Sequence, residues 1–238
     1  SQMLNAVYPI EQVEEAFDVL KGGEDPKPII SILDYGVNLD IDLTETISKR
    51  VDLVKSSSNS KIVNVALIGT GGFATGMHLP NMAKLSNKFK IKAIVNRTGQ
   101  KAKAVAEQYN ADYATTDIQE VLNDPDVDLV MITTRHDNHG TLTLNSLKAG
   151  KHVFVEKPLC INRQELADIK AFYKESDQPP LLMVGFNRRF SPYAQEIKKH
   201  VSKRVNPIVA HYRMNAGYIP LEHWTHDHGG RIIGEACH

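Results

Sequence analysis

From Lys61 to Gly185, short apolar runs alternate with stretches of helical periodicity, and this alternation limits the possible folds more than any other feature of the chain. The runs are Ile62 to Ile68, Ile91 to Val95, Leu129 to Ile132, Val153 to Val155 and Leu181 to Val184. Helical patterns lie between them at Lys101 to Tyr109, Ile118 to Leu122, Thr141 to Ala149 and Gln164 to Tyr173. A strand that alternates apolar and polar residues buries one face, whereas a continuous Val/Ile/Leu strand buries both. Such strands, separated by helices, join into a parallel sheet through right-handed crossovers. The expected fold is α/β: a doubly wound parallel sheet with helices on both faces.

Two other textures flank this region. Upstream, Glu11 to Lys21 sets Val13, Ala16, Phe17 and Leu20 on one helical face, Gly22-Gly23 stops the helix, and Ile29 to Leu33 reads as a short strand. A second amphipathic stretch, Leu43 to Val54, runs into the polar linker Lys55-Ser56-Ser57-Ser58-Asn59-Ser60. Downstream, Ser191 to Val201 is helical in pattern and Ile208 to Met214 strand-like. The expected organisation is an N-terminal segment with linker (1–60), the central α/β domain (61–185) and the start of a second, α+β domain (186–238). A stretch of about 50 residues does not easily build its own core. The second domain is therefore expected to be truncated.

Charge narrows the function classes. Lys plus Arg and Asp plus Glu each number 28. A surface that tracks phosphates needs a basic excess, so no nucleic-acid partner is expected. No apolar run approaches the roughly 18 to 20 residues of a membrane span. The two cysteines, Cys160 and Cys237, stand in unrelated contexts and fit free thiols in a cytoplasmic protein.

The first apolar run leads directly into Gly69-Thr70-Gly71-Gly72-Phe73-Ala74, a G-x-G-x-x-A spacing between strand and helix. Gly69 permits the tight turn, Gly71 lets a pyrophosphate approach the backbone, and Ala74 keeps helix and strand close. The helix N-terminus offers unpaired N–H groups to the phosphates. The second strand ends in Val95-Asn96-Arg97-Thr98, about 20 residues beyond the loop, where many such domains carry an acid for the ribose hydroxyls. No acid stands here. Arg97, with Thr98 and Lys101, suits a 2′-phosphate, so NADP is favoured over NAD unless Arg97 is only a solvated loop residue. His223, His226 and His228 have the spacing H-x-x-H-x-H, but no cysteine or carboxylate cluster completes a site beyond Asp227 and Glu222. They are taken as residues of a sugar-sized cleft, and no metal is expected.

With these segments in view, the chain resembles the glucose–fructose oxidoreductase/inositol dehydrogenase (Gfo/Idh/MocA) family. The likeness rests on the glycine loop followed by Met77-His78-Leu79-Pro80, on Leu129 to Thr134 with His139, and on Gly150-Lys151-His152-Val153-Phe154-Val155-Glu156-Lys157-Pro158-Leu159. It continues in Gly185-Phe186-Asn187-Arg188-Arg189-Phe190-Ser191-Pro192 and covers roughly residues 61 to 238. The resemblance implies an NAD(P)-dependent oxidoreductase that moves a hydride at a hydroxyl or keto carbon of a sugar-like substrate. It implies cofactor contacts from Gly69, Gly71, Gly72, Phe73, Ala74, Asn96, Arg97, Thr133, Thr134, His139, Glu156 and Lys157. Lys157 would also stabilise a developing alkoxide, with Glu156 orienting it and Pro158 fixing the turn.

The tail Gly229 to His238 resembles the motif whose terminal histidine serves as general acid or base. The family commonly has Asp four residues earlier, where this chain has Gly234. His238 is then the candidate and Glu235 its nearest carboxylate helper. That departure also motivates an alternative, a catalytically weak NAD(P)-binding sensor or docking module. A further resemblance, over about 30 residues, links Tyr8 to Phe17 and Pro28 to Leu33 with the last helix and strand of medium-chain, zinc-type alcohol dehydrogenases. It implies a fusion of two dehydrogenase modules, and the family's second domain implies a possible homo-oligomer.

Overall fold

The computed structural model describes residues 4–9, 12–21, 30–34, 49–53, 62–213, 215, 217–223 and 226. The Lys55–Ser60 linker, Asp227, His228 and the tail with Glu235 and His238 lie outside the described residues. The chain divides into two compact units, Ser1–Ser48 and Lys49–His238.

The smaller unit is a parallel β-α-β arrangement. Strand β1 (Leu4–Pro9) pairs with β2 (Ile30–Asp34), and helix α1 (Val13–Lys21) connects them. Glu14 and Glu15 in the first turn of α1 complement its positive N-terminal end. The pattern at the start of the chain anticipated α1 and β2. Strand β1, whose mixed sequence Leu-Asn-Ala-Val-Tyr-Pro has no clear period, was not anticipated.

The larger unit is built on a seven-stranded sheet of order β3-β6-β5-β4-β7-β8-β9. Its strands are β3 (Arg50–Asp52), β4 (Val63–Ile68), β5 (Phe89–Val95), β6 (Tyr113–Thr115), β7 (Leu129–Ile132), β8 (His152–Val155) and β9 (Leu182–Val184). All pairings are parallel except that of β3, which runs antiparallel to β6 at the edge. The chain winds outward from β4 through β5 to β6, returns to β7 on the other side of β4, and continues to β9. The order reverses between β4 and β7, and open α/β sheets hold ligands beyond the carboxyl ends of the strands at that reversal.

The helices are α2 (Leu79–Lys84), α3 (Gly99–Gln108), α4 (Ile118–Leu122), α5 (His139–Lys148), α6 (Arg163–Glu175) and α7 (Pro192–Val201). The doubly wound expectation holds. Val65 and Leu67 of β4 enter one buried cluster with Leu79 of α2 and Ala102 and Val105 of α3. Ala66 and Ile68 enter another, with Val121 of α4, Leu147 of α5 and Ile169 of α6. Successive side chains of β4 thus serve opposite faces, as the pleat requires. Each fully buried Val, Leu or Ile contributes about 1.5–3 kcal/mol.

Two local expectations are corrected. The stretch Leu43 to Val54 is not helical throughout, because Arg50–Asp52 is strand β3, hydrogen-bonded to β6. Residues 208–213, expected as a strand, form no regular element. A strand needs a partner for its backbone groups, and none is paired with this segment among the described residues.

Candidate active site at the strand ends

The sheet ladder continues one residue past each strand, which lines up the loops that matter. Asn96 N–H donates to Thr115 O, Gly69 N–H to Val95 O, Thr133 N–H to Ile68 O, Glu156 N–H to Ile132 O and Gly185 N–H to Val155 O, all at 2.8–3.2 Å. The loops after β5, β4, β7, β8 and β9 therefore begin side by side along the carboxyl edge of the sheet. Five stretches of chain from different parts of the sequence meet at one rim.

The glycine loop is shaped by contact on one side and by open space on the other. Gly69 has φ +94°, and a Cβ there would lie 3.0 Å from the carbonyl carbon and oxygen of Thr133 and from Thr134 N. Only glycine fits that turn without strain. At Gly71 and Gly72 an added Cβ would meet nothing within 4 Å, and both residues are exposed. The loop thus packs tightly against β7 yet leaves its outer backbone accessible. Residues 74–78 form one wide turn, in which Leu79 N–H donates to Ala74 O, five residues back, before α2 continues. Such π-turns occur often at functional sites.

Polar side chains pin this loop. The Thr133 hydroxyl lies 2.5 Å from the Gly69 carbonyl oxygen and 3.1 Å from that of Ile68, both acceptors. The Asn96 amide donates to the hydroxyl of buried Thr70. Thr133 and Asn96 therefore hold the loop's shape. Arg97 and Thr98 are exposed beside it, and Thr98 precedes α3 without a side-chain cap. The first turn of α3 carries no acid, so its N–H groups and positive dipole end are left for an anion.

On the other side of the reversal, Lys157 follows β8 with its side chain half-buried, and its peptide bond to Pro158 is cis. Glu156 does not point away into solvent. Its Oε1 accepts from His78 Nε2 at 2.7 Å and its Oε2 from the Lys157 backbone N–H at 3.2 Å. Since a carboxylate only accepts, His78 carries its proton on Nε2 here. The His78 ring sits edge-on between Phe73 and Phe154, with centroids 5.1 and 5.4 Å away. His78 thus joins the candidate site through Glu156, a contact of which its His-Leu-Pro segment gives no sign in the sequence.

His139 requires a correction. It was expected to touch the cofactor, but its side chain is fully buried, with Nδ1 2.7 Å from Pro158 O and Nε2 3.1 Å from Thr134 O. A neutral imidazole has one N–H and so donates to one of these two main-chain carbonyls, and the ring's full burial keeps it from a ligand at the rim. His139 instead joins the loop after β7 to the turn behind Lys157. Beyond that turn, the half-buried Cys160 has its pKa raised by burial and by nearby Glu165, which keeps it a neutral thiol.

Gly69, Gly71, Gly72, Phe73, Asn96, Arg97, Thr133, Thr134, Glu156 and Lys157 stand at or just past the strand ends along this rim, and Ala74 is buried in the wide turn that follows the glycine loop. His238 and Glu235 lie outside the described residues. Among the described residues no group of three His, Cys, Asp or Glu side chains could hold a metal ion, and no helix is long and apolar enough to cross a membrane.

A doubly wound sheet with an open glycine loop at its reversal defines a dinucleotide-binding domain. The match to known proteins makes this specific. The chain belongs to the Gfo/Idh/MocA oxidoreductase family: the model of that family, described as an oxidoreductase family with an NAD-binding Rossmann fold, matches residues 63–202. The 4-carboxy-2-hydroxymuconate-6-semialdehyde dehydrogenase of a Sphingobium species is 35% identical over 140 residues, covering 58% of this chain and 43% of that protein. The myo-inositol 2-dehydrogenase of Thermotoga maritima is 31% identical over 140 residues, covering 58% and 40%. Among solved structures, KijD10, a 3-ketoreductase from Actinomadura kijaniata in complex with NADP and TDP-benzene, superposes with a TM-score of 0.53 at 26% identity, covering 59% of this chain and 42% of that one. The matched segments span less than half the length of each of these proteins.

Proposed function

We propose that the chain is the dinucleotide-binding part of an NAD(P)-dependent oxidoreductase acting on a hydroxyl or keto carbon of a sugar-like polyol. The observation that carries this reading is the rim itself. An exposed glycine backbone, an uncapped helix N-terminus beside Arg97, and Lys157 all open at the one sheet position where α/β domains hold ligands. The donor set fits a dinucleotide. The loop around Gly71 and Gly72 has room for a pyrophosphate, and the first turn of α3 after Arg97 carries no acid to repel a 2′-phosphate. NADP is the favoured cofactor for that reason.

The bound nicotinamide would supply or accept the hydride. Lys157 would hold the substrate oxygen and stabilise charge that develops on it. Glu156 would keep the lysine backbone in place, and His238, with Glu235 as helper, would exchange the hydroxyl proton. The sugar-like substrate is supported by the inositol dehydrogenase relative. The β-α-β unit ahead of Ser48 is consistent with the tail of an alcohol-dehydrogenase-like module fused upstream, and a free Cys160 fits a reducing, cytoplasmic setting. The family's second domain would be the place for any homo-oligomer contact. A second reading, a cofactor-binding sensor with little turnover, is favoured only by Gly234 in place of an acid.

Calorimetric titration with NAD(H) and NADP(H) tests the proposal. The expected result is tighter binding of the NADP forms, lost preferentially in Arg97→Ala. Binding of neither dinucleotide would sink it. Turnover of a polyol that disappears in Lys157→Ala would exclude the sensor.

A further inference from the structure

We infer that His78 is a positioning residue that couples the glycine loop to Lys157 through the Glu156 carboxylate; this inference rests on the dinucleotide-binding reading above. The arrangement has three parts. His78 and Glu156 are 78 residues apart in sequence, yet their side chains meet at 2.7 Å and are only 18% and 12% exposed. A carboxylate taken that far from water is costly unless its oxygens are satisfied. Here one oxygen is held by the imidazole and the other by the Lys157 N–H.

The carboxylate is also confined from a third direction. A Cβ at Gly185 would lie 3.0–3.1 Å from the Glu156 carboxyl atoms, so the first residue after β9 closes over it. Glu156 therefore has little freedom to find another rotamer. It reads out the position of His78 and passes it to the backbone of Lys157.

The other end of the relay is on the ligand side. The His78 ring packs edge-on against Phe73, a residue of the glycine loop that is 47% exposed, and against Phe154 of β8. The wide turn at 74–78 is what brings His78 back toward the sheet. A dinucleotide seated on Gly71 to Phe73 presses on the same turn that carries His78. Occupancy of the phosphate loop thus sets the pose of the lysine on the neighbouring strand. The lysine would be poised when cofactor is present and looser when it is absent.

The test uses the full chain and NADPH. The backbone amide resonance of Lys157 is followed during titration in the wild type, His78→Phe, His78→Gln and Glu156→Gln, with calorimetry on each. His78→Phe keeps an aromatic ring between Phe73 and Phe154 but removes the donor; His78→Gln restores a donor. The wild-type Lys157 resonance should shift on saturation. The shift should fall by more than half in His78→Phe, with Kd there changing less than threefold, and also in Glu156→Gln, and it should be largely restored in His78→Gln. An unchanged shift in His78→Phe overturns the coupling. Equal loss of binding in His78→Phe and His78→Gln overturns it too, because His78 would then only support the loop. Should His78→Phe not fold, the contrast between Glu156→Gln and His78→Gln decides on the same criterion. No NADPH binding by the wild type removes the dinucleotide reading itself, a result distinct from binding without coupling.

Discussion

Two glycines of one loop, one pressed against backbone and the other facing open space, make the clearest contrast between stability and function at the level of single residues. Gly69 combines φ +94° with backbone only 3.0 Å from any added Cβ, whereas Gly71 faces open space. Gly69→Ala should lower stability by about 1–3 kcal/mol, since the residue must hold a left-handed conformation and push on Thr133. Gly71→Ala should leave stability nearly unchanged and weaken dinucleotide binding. Urea denaturation and calorimetry on the two variants separate these effects; equal stability of both would refute the geometry argued for Gly69. His139 offers a similar test. His139→Leu keeps the buried volume but removes the one N–H that a neutral imidazole donates to the Thr134 or Pro158 carbonyl, at a cost of about 1–3 kcal/mol. Substantial unfolding at neutral pH is expected, and a fully stable His139→Leu would show that this bond contributes little.

At the scale of elements, α4 shows how a short helix is held. Asp117 accepts from the Gln119 N–H at its N-terminus, and Lys49 lies 3.0 Å away. These bonds, the backbone one first, lower the Asp117 pKa below the usual carboxylate value. A carboxyl group whose pKa is depressed by folding adds stability that is complete above its unfolded value of about 3.9 and fades as pH drops below it. Asp117→Ala should cost about 1 kcal/mol at neutral pH. Asp117→Asn should keep most of the cap but flatten the acid limb of the stability curve below about pH 4. An acid limb identical to wild type would remove Asp117 from the account. The elements also differ in how plainly the sequence announced them. Strands β4, β7 and β8 were legible because burial on both faces demands continuous apolar residues. Strand β6, Tyr-Ala-Thr, is too short for any period, and β3, Arg-Val-Asp, is an edge strand whose identity comes only from pairing with β6. Within the site, the glycine loop and Lys157 could be read from local spacing. The His78–Glu156 pair and the carbonyl clamps of His139 could not, because they join residues on different strands' loops and depend on which strands become neighbours.

For the whole molecule, the choice of strand order matters more than any local motif. Placing β4 at the centre, with β5 on one side and β7 on the other, brings the loops bearing Gly69, Asn96, Thr133 and Glu156 to one rim. The same order leaves the far edge of the sheet dependent on β3, the only antiparallel strand in it. Strand β3 precedes the Lys55–Ser60 linker in sequence but belongs to the larger unit, which begins at Lys49. Its Arg50 guanidinium lies 3.9 Å over the ring of Tyr113, which is fully buried and donates its hydroxyl to Asp124. Burial first, and Asp124 next, push that phenol's pKa far up, so it stays a donor at any ordinary pH. Two truncations should therefore behave differently. A chain starting at Lys49 keeps the cover of β6 and should match the full chain in dinucleotide affinity and in thermal midpoint. A chain starting at Lys61 exposes the backbone edge of β6 and the Tyr113 ring, and it should melt several degrees lower and self-associate, as uncovered edge strands do. Thermal denaturation with light scattering distinguishes the two. Equal behaviour of both truncations would mean that the Ser-rich linker, rather than Ser48, is the true boundary of the dinucleotide-binding domain.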